Sequence, residues 1–326
     1  MTRTILVTGA TGFFGRHLVP HLLDREYRVI AVNRRGMPRI KGVQQIEIGD
    51  LEEEIDWARC VDGVDAVVHL AALAHATASI PEERYNKINH QATARLAKAT
   101  DAAGARFVFM SSVAAQSGAS SEEVLTEEAI PQPTTPYGRS KLRAEQEIEA
   151  TVRKYVILRP TLTYGFGVRG NMGQLIWAAT SRIPPPLGAI RNSRSLLAVE
   201  NMCDAVGFVL RADAAHNQVL LLADEEPIST AEIVSLLRSG AGLSLAPLRV
   251  PPSILFGVLT LLGRGEMPAK IGGQLVASVA KLRRLGFRWR ISTPDGLRAL
   301  GTSYGSMPPE KRTWANSQTE IRHSLR

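Results

Sequence analysis

Cysteine is scarce in this chain, with only Cys60 and Cys203 among 326 residues. Two thiols so widely spaced give neither a disulfide framework nor a metal-ligand pattern, and such usage fits a reducing compartment. Long apolar runs are missing too. The strongest, Ile254 to Leu262 interrupted by Gly257, falls far short of the ~20 residues a membrane span requires. A cytoplasmic protein with no membrane span is expected, in which that run could form an exposed apolar helix face. The N-terminus, Thr4-Ile5-Leu6-Val7-Thr8, reads as a strand and not as a signal peptide. Basic residues exceed acidic ones, 39 Lys+Arg against 31 Asp+Glu for a formal charge of +8. No basic stretch is interleaved with aromatics, so nucleic acid is not the expected partner, and phosphorylated small molecules are the simpler anions.

What is present is an ordinary globular composition, 44% hydrophobic and 21% charged, long enough for one large α/β unit and a smaller lobe. The apolar run Ile5 to Thr8 leads into Gly9-Ala10-Thr11-Gly12-Phe13-Phe14-Gly15, and a helical pattern follows through Leu18, Val19, Leu22 and Leu23. Strand, glycine turn and helix in that order let a backbone approach a pyrophosphate while the helix N-terminus offers free N–H groups and its positive dipole end. A second strand, Arg28 to Val32, ends at Asn33-Arg34-Arg35-Gly36. An acid at that place binds the ribose diol of NAD, whereas an arginine accommodates the 2′-phosphate of NADP. No acid stands here, which favours NADP over NAD with Arg34 as the phosphate contact. Asp50, in Gly49-Asp50-Leu51 after a third strand, can accept from an adenine amino group.

Further apolar runs, Ala66 to Ala72, Arg106 to Met110 and Tyr155 to Pro160, alternate with helical stretches. The pattern predicts a doubly wound parallel sheet covered by helices on both faces, with right-handed crossovers. His69, inside an apolar strand end, reads as a packed core histidine. Ser111 and Ser112 end a central strand, where open α/β sheets place ligand chemistry; one hydroxyl there can bond a substrate oxygen, or cap the next segment. In Pro136-Tyr137-Gly138-Arg139-Ser140-Lys141 a tyrosine and a lysine four residues apart share one helix face. An ammonium beside a phenol would draw its pKa from about 10 toward neutrality, roughly 4 kcal/mol of differential stabilisation. A group so tuned moves protons at working pH.

From Gly165 the texture turns loop-rich, through Gly167, Gly170, Gly173 and Pro184-Pro185-Pro186. Ser229-Thr230-Ala231-Glu232 is a capping box opening a helix. The expected division is a dinucleotide-binding domain over 1–165 to which 195–225 return, a mostly helical substrate lobe from 166–194 and 226–302, and a disordered polar tail over 303–326.

Assembled in this order, the motifs resemble the extended short-chain dehydrogenase/reductase family, in particular its nucleotide-sugar epimerase, dehydratase and ketoreductase branch. The resemblance runs over roughly residues 4 to 300. It is carried by Gly9 to Gly15, Asp50-Leu51, His69-Leu70-Ala71-Ala72, Asn89, Ser111-Ser112, Tyr137 with Lys141, and Leu158-Arg159-Pro160-Thr161 leading to Tyr164-Gly165. It implies Tyr137 as acid/base, Lys141 as the group that lowers its pKa and holds the nicotinamide ribose, and Ser112 as the bond to the substrate oxygen. Asn89 would be structural. Gly9, Thr11, Gly12, Phe13, Phe14, Gly15, Asn33, Arg34, Asp50, Leu51, Leu70, Ala71, Ala72 and Pro160 would line the cofactor. Asn171, Met172 and Arg194 would contact the nucleotide sugar, Arg194 on its diphosphate, with Ser111 also facing substrate. No metal is implied, and a homodimer through the Tyr137 helix is. Two departures stand out: Gln116-Ser117-Gly118 replaces the family's Tyr-Gly pair, and the acid after the second strand is absent.

The implied chemistry is hydride exchange at C4 of a UDP-linked hexose, as an epimerase or as a 4-ketoreductase. A dehydratase is disfavoured because Val113-Ala114 stands where that branch resembles an Asp-Glu pair. The rival from another class is a dinucleotide-sensing or scaffold protein that kept the fold and lost the chemistry.

Overall fold

In the computed structural model, residues 2–37, 39–74 and 80–307 are described. The chain opens with β1 (Thr4–Thr8), α1 (Phe13–Leu23), β2 (Arg28–Arg34), β3 (Gln44–Ile48), α2 (Trp57–Val61) and β4 (Ala66–His69). After α3 (Glu82–Tyr85) one π-helical turn, Asn86–Gln91, runs into α4 (Ala92–Ala102), then β5 (Arg106–Met110), α5 (Pro136–Thr151) and β6 (Tyr155–Pro160). Next come β7 (Leu162–Tyr164), α6 (Gly170–Ala179), β8 (Leu196–Ala198), α7 (Val199–Val209) and β9 (Gln218–Leu222). The C-terminal region is helical: α8 (Thr230–Gly240), α9 (Pro252–Leu261), α10 (Met267–Gly272), α11 (Ala280–Arg284) and α12 (Thr293–Gly305).

Seven strands form one parallel sheet in the order β3-β2-β1-β4-β5-β6-β9, while β7 and β8 pair separately. The doubly wound fold is therefore as the apolar runs imply. Successive strand residues enter opposite cores: Ile5 and Val7 pack with Leu18, Val19 and Leu22 of α1, whereas Leu6 packs with Leu96 of α4 and Ile148 of α5. Val108 and Met110 join the first layer, Phe107 and Phe109 the second. Each strand is apolar throughout because both faces are covered. Strand order reverses between β1 and β4, so their carboxyl ends open a crevice where such sheets bind ligands.

A separate core joins Tyr164, Met172, Ile176 and Leu196 with Ile233, Val234, Leu237, Leu297 and Leu300. The Ser229 capping box closes both ways onto Glu232. Leu282 and Phe287 return to the α1 side of the main sheet. Residues 303–305, expected to open the polar tail, are instead the end of α12; the Tyr304 ring lies 5.6 Å from that of Phe166 and its hydroxyl accepts from Gly167 N. The remainder of that tail, residues 308–326, lies outside the described residues.

Candidate active site

The glycine turn after β1 is built around backbone contact. Gly9 has φ +68°, which L side chains rarely adopt, and a Cβ there would stand 2.8 Å from Ala71 N. A Cβ on Gly15 would lie 2.3 Å from Gly9 O, so α1 can meet the turn only through glycine. The amino end of α1 has Gly12 as its cap, no side-chain cap hydrogen bond and no acid in its first turn. Free N–H groups and a positive dipole end therefore face the crevice without a neutralising partner. Thr11 O is held by Arg16 Nε at 3.0 Å. Phe13 stacks obliquely on Phe14 at 5.5 Å and also meets Gly165 at the end of β7. On the opposite lip, Leu70 and Ala71 hang on Thr8, through its carbonyl at 3.3 Å and its hydroxyl at 3.2 Å. Leu73, just beyond Ala72, is gripped by Asn89, which accepts from its N–H at 2.8 Å and donates to its carbonyl at 3.1 Å. The geometry fits a dinucleotide: glycines where only glycine fits, beside an uncapped helix start.

At the far end of the crevice, Asn33 is buried on β2 and donates to Gln45 at 3.5 Å, while Arg34 is exposed and pairs with Asp50 at 3.4 Å. Asp50 Oδ1 also accepts from Glu52 N at 3.1 Å. Leu51 packs along the second core layer. An exposed pair of this kind is worth ~1 kcal/mol or less, so a phosphate can displace it readily. Pro160 ends β6 in register with Leu222.

The tyrosine–lysine group forms where β5 meets α5. Thr135 caps α5 by accepting from Gly138 N at 3.0 Å, and Pro136 starts the helix. The cap sets Tyr137 in the first turn and Lys141 one turn below. Lys141 is 1% exposed; its Nζ donates to Met110 O at 2.8 Å and lies 4.5 Å from the Phe109 centroid. Burial draws its pKa down to about 7, partly opposed by Glu145. The Tyr137 phenol is pushed up to about 12 by burial, with the adjacent Ser112 hydroxyl pulling slightly the other way. The expected acidification of the phenol by the ammonium is thus absent: the ammonium is directed at Met110 O, and desolvation governs both groups.

Ser111, expected to face substrate, is instead buried, and its hydroxyl donates to Glu145. Ser112 accepts from Ala114 N at 3.1 Å and stands against Tyr137. Glu145, 1% exposed, receives Arg159 Nε at 3.1 Å and Nη2 at 2.5 Å, and Arg159 also donates to Gln116 at 3.1 Å. Sequence reasoning missed this buried pair, although Glu145 stands four residues after Lys141 on the same face. His69 is a core histidine as expected, bonded to Thr8 at 2.7 Å and Thr93 at 2.9 Å and held neutral by a pKa of about 3.

Of the expected substrate contacts, Met172 is a core residue of the C-terminal region, 1% exposed, while Asn171 is exposed beside it at the start of α6. Arg194 is buried, and its guanidinium donates to Gly273 O at 2.7 Å and Ala119 O at 3.3 Å. It ties loops together instead of lying free for a diphosphate, yet it meets no carboxylate among the described residues and stays an uncompensated cation. Arg169, which sequence reasoning also missed, has a buried Nε with no partner and lies close enough to Arg16 to depress that residue's pKa. Among the described residues no group of His, Cys, Asp and Glu is placed to hold a metal ion.

Residues 5–223 match the NAD dependent epimerase/dehydratase family. The chain is 31% identical over 318 residues to a UDP-glucose 4-epimerase of Vibrio cholerae, covering 93% of this chain and 96% of that one. It is 30% identical to a 2-alkyl-3-oxoalkanoate reductase of Stenotrophomonas maltophilia, covering 92% and 98%. A solved structure of MoeE5 in complex with UDP-glucuronic acid and NAD superposes with a TM-score of 0.73 at 28% identity, over 91% of this chain and 97% of that one. The chain belongs to the NAD-dependent epimerase/dehydratase family, within the extended short-chain dehydrogenase/reductase fold.

Proposed function

We propose that this protein exchanges hydride at C4 of a UDP-linked hexose as a 4-epimerase, with Tyr137 as the acid/base. The observation that carries the reading is the grouping of Tyr137, Ser112 and Lys141 at the carboxyl end of β5, beside a glycine cradle shaped for a dinucleotide. A nicotinamide bound there supplies reversible hydride acceptance. The chain's own residues supply the rest. Ser112 Oγ orients the substrate oxygen at C4. Tyr137 Oη gives a proton to that oxygen when hydride arrives at carbon and takes it back when hydride leaves. Lys141 holds the ribose hydroxyls, and with its pKa drawn down to about 7 only its protonated fraction supplies positive field to a phenolate. Arg169, whose buried Nε has no partner, provides a donor for the diphosphate, and Arg194, committed to loop carbonyls, adds only its charge.

A second reading, an NADPH-dependent 4-ketoreductase, is favoured by two observations. No acid stands at the end of β2 beside Arg34, and a phenol near 12 rests as a proton donor, the state a reductase needs. A homodimer through α5 belongs to either reading. The test is incubation of purified protein with UDP-hexoses and no added cofactor. Interconversion of C4 epimers without net NAD(P)H change supports the epimerase; stoichiometric NADPH use on a 4-keto sugar supports the reductase. A role that survives Tyr137→Phe intact would mean a dinucleotide-sensing scaffold.

A further inference from the structure

Helix α9, Pro252–Leu261, has no fully buried residue despite being apolar almost throughout. Its inner side is accounted for: Leu255 and Phe256 pack with Ile271 against the C-terminal core, and Phe256 closes on Gly272. Its outer side is not. Ile254 at 59%, Val258 at 49%, Leu261 at 88% and Leu262 at 69% exposure recur at helical spacing and form one apolar stripe facing water. Leu245 and Leu248, on the approach to the helix, are exposed as well. A contiguous face of this kind marks an interaction surface.

Charge selects the occupant. From Ile233 to Gly265 the sequence holds no acid, while Arg249 and Arg264 flank the helix. Both are exposed, and neither pairs with an acid among the described residues. An apolar stripe bracketed by free arginines suits an interface that is apolar inside and anionic at its rim. At ten residues α9 is about 15 Å long, and among the described residues no helix is long and apolar enough to cross a membrane. The element can lie on a bilayer but not span it.

We infer that α9 docks on the surface of an anionic membrane, with its outer stripe entering the headgroup–acyl boundary and Arg249 and Arg264 meeting lipid phosphates at its ends. Shallow insertion of apolar side chains beside basic residues is how interfacial helices hold a bilayer. The inference is independent of the proposed reaction.

The test is co-sedimentation of the full chain with vesicles of phosphatidylglycerol and phosphatidylethanolamine, and with vesicles of phosphatidylcholine alone. The wild type is expected to pellet with the anionic vesicles only. Leu261→Ser with Leu262→Ser should weaken partitioning at least about tenfold, and Arg249→Gln with Arg264→Gln by about fivefold per arginine. Both variants should melt as the wild type does, because the altered side chains are exposed. Failure of the wild type to pellet, equal binding to phosphatidylcholine, or undiminished binding by the leucine variant overturns the inference. So does a wild-type dimer, seen by sedimentation velocity, that the leucine variant splits; the face would then belong to a second copy of this chain.

Discussion

Replacing Lys141 by methionine should stabilise the protein at neutral pH while abolishing its chemistry. Lys141 is 1% exposed, and its pKa falls from 10.5 to about 7 through burial. Between those values the unfolded chain binds a proton that the folded chain does not, so folding grows more favourable as pH rises. The linkage amounts to about 4 kcal/mol of lost stability at pH 7.4 and less than about 1 kcal/mol at pH 10.5. Methionine removes the penalty but forfeits the bond to Met110 O and the contact with Phe109, together about 1 to 2 kcal/mol. A net gain of about 2 kcal/mol remains at pH 7.4, or a melting temperature higher by about 3 °C. Thermal unfolding of both proteins across pH 7 to 10.5 checks this. The advantage should fade and then reverse toward the alkaline end. A variant that melts below the wild type at pH 7.4, or a difference that ignores pH, refutes the assignment of a desolvated amine.

The two serines should separate cleanly. Ser112→Ala should lower kcat by about 100-fold at a stability cost of about 1 kcal/mol or less from the lost cap on Ala114 N, whereas Ser111→Ala, which strips a donor from buried Glu145, should cost about 1 to 3 kcal/mol of stability and spare the rate; denaturant unfolding and steady-state rates distinguish them. Gly15→Ala drives a methyl into Gly9 O, so dinucleotide binding measured by calorimetry should fall below detection even where circular dichroism shows the fold retained.

The sheet was legible because a parallel strand covered on both faces is apolar at every position, and five such runs alternate with helices. The same property hid the choice between Ser111 and Ser112. With both faces apolar, nothing in Arg106 to Met110 tells which pleat faces the crevice, and adjacent residues at a strand end point oppositely. Asn33 and Arg34, which the sequence pattern places just after β2, end it, because pairing with Glu47 and Ile48 carries the strand onward. Between α3 and α4 the backbone makes a π turn, Asn86–Gln91, a change of bonding without a residue signature. Arg194 and Met172 were placed by motif, and motif position does not reveal burial: one guanidinium went to loop carbonyls and one thioether to a core. The buried Glu145–Arg159 pair joins α5 to β6 and shows only once tertiary structure brings them together.

Asp224 follows β9 and is 2% exposed, with a pKa raised to about 6 by burial. It accepts from Ala198 N at 3.1 Å, Asn201 at 2.7 Å, Tyr164 at 3.0 Å and Thr293 at 3.4 Å. Those donors come from β7, β8, α7 and α12, so one carboxylate rivets the main sheet's flank to the helical region. Prising the two apart would strand a desolvated charge. The molecule should consequently melt in a single calorimetric peak.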